Sequence, residues 1–261
     1  PRSCNASLFF LRPLGLRLRA FSGPPSAADW AALSYAAGRY SMPGARLILM
    51  NCSESLFTGT LLNLGRVSGC TAIAVVAASS LEPMSRIHAG IAGEALTLEA
   101  VSMGLGACWI SGTYRKKLLN APLADHEAAL AVIALGIPEE PVQPPIQRKR
   151  KSLEKLCKGD LSLWPEELLK VAEAIREAPS AMNLQPWSLS FTADSFIVDT
   201  SDRAELDLGI ALCHAEATLS VPHRWRFAQT RHDPAAWAAF PWISALKDTR
   251  VGAANRRIGK N

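Results

Sequence analysis

The sequence predicts an α+β protein with two related parts. Apolar runs of strand length at 70–79 and 128–137 alternate with segments of helical spacing such as 91–105. The segment "PEEPVQPPIQRKRKS" (138–152) contains four prolines, so it cannot form regular structure and marks a connector. We therefore predict a first part over residues 1–158, a second part over residues 159–222 and an unassigned tail over residues 223–261.

The first part begins with a predicted helix over 26–40, for which Ser26 is a suitable N-cap. Two strands, 45–51 and 69–77, should follow it. The next helix, 91–105, has its apolar residues on nearly one face, and Gly104 closes it as a C-cap glycine would. "GACWISG" (106–112) then leaves this helix as a short strand or extended loop, before the buried strand at 128–137.

The second part repeats this arrangement in outline. A helix over 165–176 precedes a loop, a strand pair over 188–200 with a turn near Asp194, and a helix over 207–219 with Asp207 as its expected N-cap. In both parts an apolar helix follows a strand and a turn. This similarity suggests two related halves, which could pack together as the subunits of a homodimer would.

The composition indicates a protein with a sizeable core. Of its 261 residues, 49% are apolar and 20% are charged. The longest apolar runs have about half of the ~20 residues that a membrane span needs, so no membrane contact is expected. Arginines interrupt the apolar opening segment 1–21, which also lacks a small-residue cleavage site. We predict a cytoplasmic protein.

The cysteines and histidines do not indicate a metal site. The six cysteines are far apart in sequence, which suggests neither a disulfide framework nor a zinc site. We expect them to be reduced and mostly buried. His88, His126 and His214 each lack a second ligand at metal-binding spacing.

The net charge of +5 comes largely from "QRKRK" (147–151) and from arginines near the end of the chain. A cluster of this kind is usually a solvated face. No aromatic residue is interleaved with the basic ones of 147–151, so a nucleic-acid partner is not indicated.

The segment "EAPSAMNLQPW" (177–187) ends a helix with an unusual concentration of polar groups. Ser180, Asn183 and Gln185 offer donors and acceptors between two stiffening prolines, Pro179 and Pro186. One interpretation is a tight turn whose polar side chains bind their own backbone. The other is a rigid loop that presents these groups to a ligand.

Three separated motifs resemble the FMN-dependent nitroreductases. "APSAMNLQPW" is similar to that family's Pro-Ser-x-x-Asn-x-Gln-Pro-Trp loop. "TLEAVSMGLGACWISGTYRKK" (97–117) resembles its central helix with the following glycine turn, and "ALGIPEEPVQPPIQRKRKSLEKL" (134–156) resembles its final strand and basic tail. The order of the motifs over residues 45–220 resembles the tandem variety, in which two halves form a pseudodimer around antiparallel sheet and central helices.

The resemblance implies a set of FMN contacts. In the family the quoted loop reaches the flavin of the other subunit, and here it would reach from the second half to the first. A turn after the central helix offers backbone N–H groups, and a basic pair after the last strand binds the phosphate. The matching residues are Pro179, Ser180, Asn183 and Gln185 in the loop, Ile110, Ser111 and Gly112 in the turn, and Arg148 and Arg150 in the basic pair.

The chain also departs from the family pattern. The Arg-Arg-Ser-x-Arg segment that holds the FMN phosphate in the family has no match in this sequence. The last stretch, 223–261, does not resemble the family's ending. Gly104 and Gly106 fit a helix C-cap followed by a strand, and Trp109 is expected in the core.

The resemblance implies an FMN-dependent oxidoreductase that transfers a hydride from NADH or NADPH to a nitroaromatic- or quinone-like small molecule. No catalytic residue is assigned, because the cofactor supplies the difficult step. A Gly-x-Gly-x-x-Gly segment after a strand is absent, so a Rossmann nicotinamide fold is not expected. The alternatives are a non-catalytic FMN-binding module and another flavin reaction on the same fold. A monomeric pseudodimer is the expected assembly.

Overall fold

A computed structural model of the protein describes residues 19–58, 67–82, 84–140, 149–192, 195–201, 203–219, 224–229 and 234–239. The chain divides into two compact units, Pro1–Lys149 and Arg150–Asn261. The division falls inside the proline-rich segment, earlier in the chain than the boundary expected at residue 158. Each unit is considered separately below.

The described part of unit 1 contains one antiparallel sheet. Strand β5 is its longest strand and pairs with β3 along most of its length. On its other side β5 pairs with β4 and, beyond it, with β1, whereas β2 pairs with β3. The strands are β1 Phe21–Gly23, β2 Ala45–Asn51, β3 Ala72–Ser79, β4 Gly106–Ile110 and β5 Glu127–Pro138.

Two helices of unit 1, α1 (Ala27–Tyr40) and α2 (Ser85–Ser102), pack against each other and against β2. Ser26 caps α1 as predicted: its Oγ accepts from Asp29 N at 3.1 Å, and Asp29 Oδ2 accepts from Ser26 N at 3.2 Å. Helix α2 begins before the predicted start at Ile91. It ends where predicted, because Gly104 adopts a left-handed φ of 80° beyond its last turn.

The core of unit 1 explains why its strands are uniformly apolar. Strand β3 is buried along its whole length, since β2 and β5 flank it and helix α2 lies against it. A strand without a solvent face needs no polar residues at alternate positions, which accounts for the continuous run "AIAVVAAS".

The described residues of unit 2 form three α-helices and a second antiparallel sheet in the order β6-β7-β9-β8. Helices α4 and α5 pack against each other, and the fully buried Trp164 packs edge-on against Phe191 and Phe196. The elements are α3 Leu153–Leu156, α4 Glu166–Glu177, β6 Trp187–Phe191, β7 Ser195–Thr200, α5 Glu205–Thr218, β8 Arg224–Gln229 and β9 Pro234–Ala239.

One prediction for unit 2 was wrong, and the tail left unassigned contains two strands. Residues 224–229 and 234–239 form β8 and β9, which pair with each other, and β9 also pairs with β7. Asp207 is not a helix N-cap, because α5 begins at Glu205 and Asp207 therefore lies within its first turn. The predicted turn at Asp194 lies outside the described residues, although the β6–β7 strand pair that it would join is confirmed.

The predicted α+β class with antiparallel sheets is thus confirmed. The pseudodimer arrangement of two related halves stays a prediction. Across the ranges that the structure describes, no helix is both long and apolar enough to cross a bilayer.

Candidate functional site

The polar loop after α4 has a strained backbone. Helix α4 ends at Glu177, and a single 3₁₀ turn at Ala181–Asn183 follows Pro179. Met182, Asn183 and Gln185 have φ values of 50°, 59° and 48°, in the left-handed region that non-glycine residues seldom occupy. Each such residue costs about 1–2 kcal/mol, so the surrounding contacts must compensate.

Gln185 is the centre of the hydrogen bonds within this loop. Its backbone N–H donates to Ser180 Oγ at 2.9 Å, and its Nε2 donates to Asn183 O at 3.2 Å. Lys151 donates to it twice, from its backbone N to Oε1 at 2.8 Å and from Nζ to the Gln185 carbonyl oxygen at 2.9 Å. Only 3% of Gln185 is exposed, so these contacts satisfy a buried amide.

Arg150 joins the loop to the end of α4. Its Nη1 donates to Asn183 Oδ1 at 2.7 Å, and its Nη2 donates to the Glu177 carbonyl oxygen at 2.6 Å. The Glu177 carboxylate lies 3.8 Å from its Nε. The Arg150 side chain is only 3% exposed. In this structure the guanidinium therefore binds the loop, and the phosphate contact predicted for it stays a prediction.

Asp207 supports the opposite side of the loop. Its Oδ1 accepts from Ala181 N at 3.1 Å. Burial raises the pKa of this carboxyl, and the hydrogen bond from Ala181 lowers it in part. A residue expected to cap its own helix thus accepts a hydrogen bond from the first residue of the 3₁₀ turn.

The loop exposes two apolar side chains between its buried polar ones. Met182 is 78% exposed and Leu184 is 59% exposed, whereas Gln185 is buried. Their neighbours on either side are fixed by hydrogen bonds, so these side chains project from a rigid backbone. A rigid apolar surface of this kind suits a flat aromatic ligand.

The glycine turn of unit 1 follows β4. Ile110 is buried at the end of that strand, whereas Ser111 and Gly112 are exposed. A Cβ built on Gly112 would meet no atom within 4 Å, and its φ is not in the left-handed region. Neither packing nor backbone conformation within the described residues therefore requires glycine at this position, and the open space could admit a ligand.

Trp109 was expected in the core, and the structure places it half-buried against α2. Its Nε1 donates to Glu94 Oε2 at 2.8 Å, and Glu94 is completely buried. A Cβ on Gly93 would lie 2.4 Å from the Trp109 ring. These contacts fix β4, and with it the start of the exposed turn at Ser111.

One predicted site residue lies outside the described part of the chain, and three residues that support the site were not predicted. Arg148 lies outside the described residues. Glu94, Lys151 and Asp207 were not selected from the sequence. Glu94 carried a signal, since it is a carboxylate flanked by the small apolar residues of a buried helix, whereas the partners of Lys151 and Asp207 lie far away in sequence.

The described cysteines and histidines have structural contacts. Cys52, Cys70, Cys108, Cys157 and Cys213 are free thiols, four of them buried. The ring Nδ1 of His88 lies 2.8 Å from the Pro43 carbonyl oxygen. Within the described parts of the chain, no three His, Cys, Asp or Glu residues are grouped so as to hold a metal ion.

A cleft of about 410 Å³ lies elsewhere in unit 1, where β2 starts and β3 ends. Its wall includes Arg46 and Glu127, which form an ion pair at 2.6 Å, and the exposed His126. The lining residues do not include any of the predicted site residues. We therefore assign the cleft no part in the candidate site.

Comparison with solved structures shows a shared fold. The structure of a "putative nitroreductase" from Thermotoga maritima superposes with a TM-score of 0.51 at 23% identity, covering 72% of this chain and 79% of that one. A "putative NADH dehydrogenase/NAD(P)H nitroreductase" from Parabacteroides distasonis gives 0.42 at 22% identity, over 52% and 90% of the two chains. A nitroreductase with bound FMN from Desulfitobacterium hafniense gives 0.41 at 16% identity, over 51% and 90%.

Comparison with curated proteins gave no match. A family profile, described as "Putative TM nitroreductase", matches residues 45–219, which is more than half of the chain. This range includes both the strained loop after α4 and the exposed turn after β4. The chain therefore belongs to this nitroreductase family, and its general role is that of an oxidoreductase.

Proposed function

We propose that the protein is an FMN-dependent oxidoreductase that takes a hydride from NADH or NADPH and passes it to a nitroaromatic- or quinone-like acceptor. The observation that carries the proposal is the loop 179–187, where three non-glycine residues are held in the left-handed region. Such strain persists at ligand-binding sites, where a rigid backbone is needed. Membership of the nitroreductase family supports the same conclusion.

The chemistry of the described residues fits a flavin. Bound FMN would supply hydride acceptance and donation through its ring system. The exposed Met182 and Leu184 offer apolar surface, and the exposed Ser111 and Gly112 offer polar groups beside open space. We propose that the predicted contacts hold the cofactor: Pro179, Ser180, Asn183 and Gln185 from the loop, and Ile110, Ser111 and Gly112 from the turn.

The residues of the chain would bind and orient the cofactor rather than move protons. Gln185 and Asn183 have their side chains engaged in fixing the loop, so the atoms that face a ligand there are mainly backbone and apolar ones. A loop that keeps its shape loses little conformational entropy on binding.

A cytoplasmic location of the protein stays a prediction.

A second candidate is a non-catalytic module that binds FMN without turnover. The observation that favours it concerns Arg150, one of the two cations expected to bind the phosphate, because its buried side chain is committed to Asn183 and Glu177. Weaker neutralisation of the phosphate would leave a cofactor that binds but cycles poorly.

Titration with FMN, followed by flavin fluorescence, tests the cofactor assignment. We expect the wild-type protein to bind FMN and Asn183→Ala to bind it more weakly, by about 1–3 kcal/mol or roughly five- to hundredfold, because the loop loses the partly buried hydrogen bond between Arg150 and Asn183. Asn51→Ala is the matched control, since Asn51 is exposed at the end of β2. Absence of FMN binding by the wild-type protein would contradict both candidates.

A further inference from the structure

We propose that Arg150 and Asp207 are positioning residues that hold residues 180–185 of the loop, three of which have a left-handed φ, in their observed conformation, and that Arg150 does not bind the FMN phosphate. This inference rests on the proposed function for its link to flavin. The claim that these residues hold the loop depends only on contacts within unit 2, so it can be tested without any cofactor.

The accessibility of Arg150 is the first argument. A cation that clamps a phosphate presents the donors of its planar guanidinium to the ligand, usually two at once. In Arg150 the two terminal nitrogens donate to Asn183 Oδ1 and to the Glu177 carbonyl oxygen, and the side chain is 3% exposed. Because the side chain is buried and already fixed by both hydrogen bonds, a phosphate could reach the guanidinium only if the surrounding structure opened.

The position of these acceptors is the second argument. Glu177 is the last residue of α4, and its carbonyl oxygen lies at the negative end of the helix dipole, where a cation is favourable. Asn183 lies beyond Pro179, in the left-handed stretch. One guanidinium therefore joins the end of the helix to the strained residue that the helix cannot reach through its own backbone.

Asp207 gives the loop a second, independent support. It lies in the first turn of α5, and its Oδ1 accepts from the N–H of Ala181, the first residue of the 3₁₀ turn. Arg150 binds the last residue of the same turn. The turn is therefore held at both ends by side chains from two different segments, which explains how the left-handed residues are maintained there.

The two roles of Arg150 predict different responses to the phosphate group of the ligand. Removal of a phosphate ligand weakens FMN but leaves riboflavin unchanged, because riboflavin has no phosphate. Removal of a positioning residue relaxes the loop and weakens both ligands by the same factor. We expect Arg150→Ala to lower the affinity for FMN and for riboflavin equally, by about tenfold or more.

Limited proteolysis gives a readout that needs no flavin. The exposed Leu184 is a site for chymotrypsin, and cleavage requires a backbone that can adapt to the protease. We expect cleavage after Leu184, mapped by mass spectrometry, to be at least about tenfold faster in Arg150→Ala and in Asp207→Ala than in the wild type. Lys158→Ala is the control, because it removes an exposed cation of unit 2 that pairs with Asp199 at 3.0 Å.

The outcomes separate the alternatives. Equal weakening of FMN and riboflavin with faster cleavage supports the positioning role, whereas weakening of FMN alone overturns it. Unchanged cleavage in both variants also overturns it. If the variants are cleaved faster but the wild-type protein binds no flavin, the positioning role of Arg150 and Asp207 is supported and the proposed function is contradicted. If Arg150→Ala does not fold, Arg150→Lys takes its place, because it keeps a cation for a phosphate but cannot make both hydrogen bonds; the positioning role again predicts equal weakening of FMN and riboflavin.

Discussion

The indole nitrogen of Trp109 donates to Glu94 Oε2 at 2.8 Å, across the contact between β4 and α2. The carboxylate is completely buried, so the indole satisfies a group that would otherwise be costly to bury. The same tryptophan ring covers Gly93, the residue before Glu94. Strand β4 is therefore fixed to α2 by a polar and a steric contact immediately before the exposed turn at Ser111.

This contact predicts the effect of changing two helical glycines. Alanine normally stabilises a helix interior by about 1 kcal/mol relative to glycine. At Gly93, however, a Cβ would lie 2.4 Å from the Trp109 ring. We expect Gly93→Ala to lower the free energy of unfolding by about 1–3 kcal/mol, as measured by urea denaturation.

Gly38 in α1 is the matched control, because a Cβ there would meet no atom within 4 Å. Gly38→Ala should raise the free energy of unfolding by up to about 1 kcal/mol. Equal effects of the two substitutions would contradict the packing of Trp109 on Gly93.

The Arg46–Glu127 ion pair predicts a pH-dependent contribution to stability. Two hydrogen bonds from the Arg46 guanidinium, at 2.7 and 2.6 Å, lower the pKa of Glu127 to about 2 from an ordinary value of 4.5. Because the pKa is lower in the folded state, the stabilisation is complete above about pH 4.5 and is lost as the pH falls toward 2.

Glu127→Gln should therefore be less stable than the wild type at pH 7, and the difference should shrink progressively below pH 4.5. Urea denaturation between pH 7 and pH 3 measures it. Glu166→Gln, which changes an exposed carboxylate of α4, serves as the control. A difference that does not vary with pH would exclude the ion pair as its cause.

Cys157 should be chemically inert in the native protein. Burial, together with the nearby carboxylates of Glu173 and Glu154, raises the pKa of its thiol to about 12. Since the thiolate is the reactive form, iodoacetamide at pH 8 should modify Cys157 far more slowly in the native protein than in urea. Peptide mass spectrometry measures both rates, and similar rates would show that the thiol is accessible.

The helices and central strands were predictable because their signals are local. Ser26 was predicted as an N-cap from its place before the helix, and in the structure it forms a capping box with Asp29, three residues later. The continuous apolar run of β3 shows a strand buried on both faces. Gly104 ends α2 because it can take a left-handed φ, and the sequence alone places it there.

The strands β8 and β9 were not predictable by the same means. Strand β9, "PAAWAA", contains four alanines and begins with proline, residues that are depleted in strands. It forms because β7 and β8 pair with it on either side. Pairing with distant strands thus overrides a weak local preference.

The candidate loop was identified from its residues, but its internal support was not. Arg150 and Asn183 are 33 residues apart in sequence, and Ala181 and Asp207 are 26 apart. A basic cluster before a helix has the same pattern whether its arginines face solvent, a phosphate or a buried amide. Only the tertiary structure distinguishes these partners.

The central claim is that the protein uses FMN to pass a hydride from a nicotinamide to an acceptor, and anaerobic spectroscopy tests it most directly. The protein loaded with FMN is mixed with NADH or NADPH, and the flavin absorption near 450 nm is followed before and after a quinone or nitroaromatic is added. We predict that one or both nicotinamides bleach the absorption and that the acceptor restores it. Stable FMN binding without bleaching by either nicotinamide would contradict the oxidoreductase mechanism and favour the non-catalytic module.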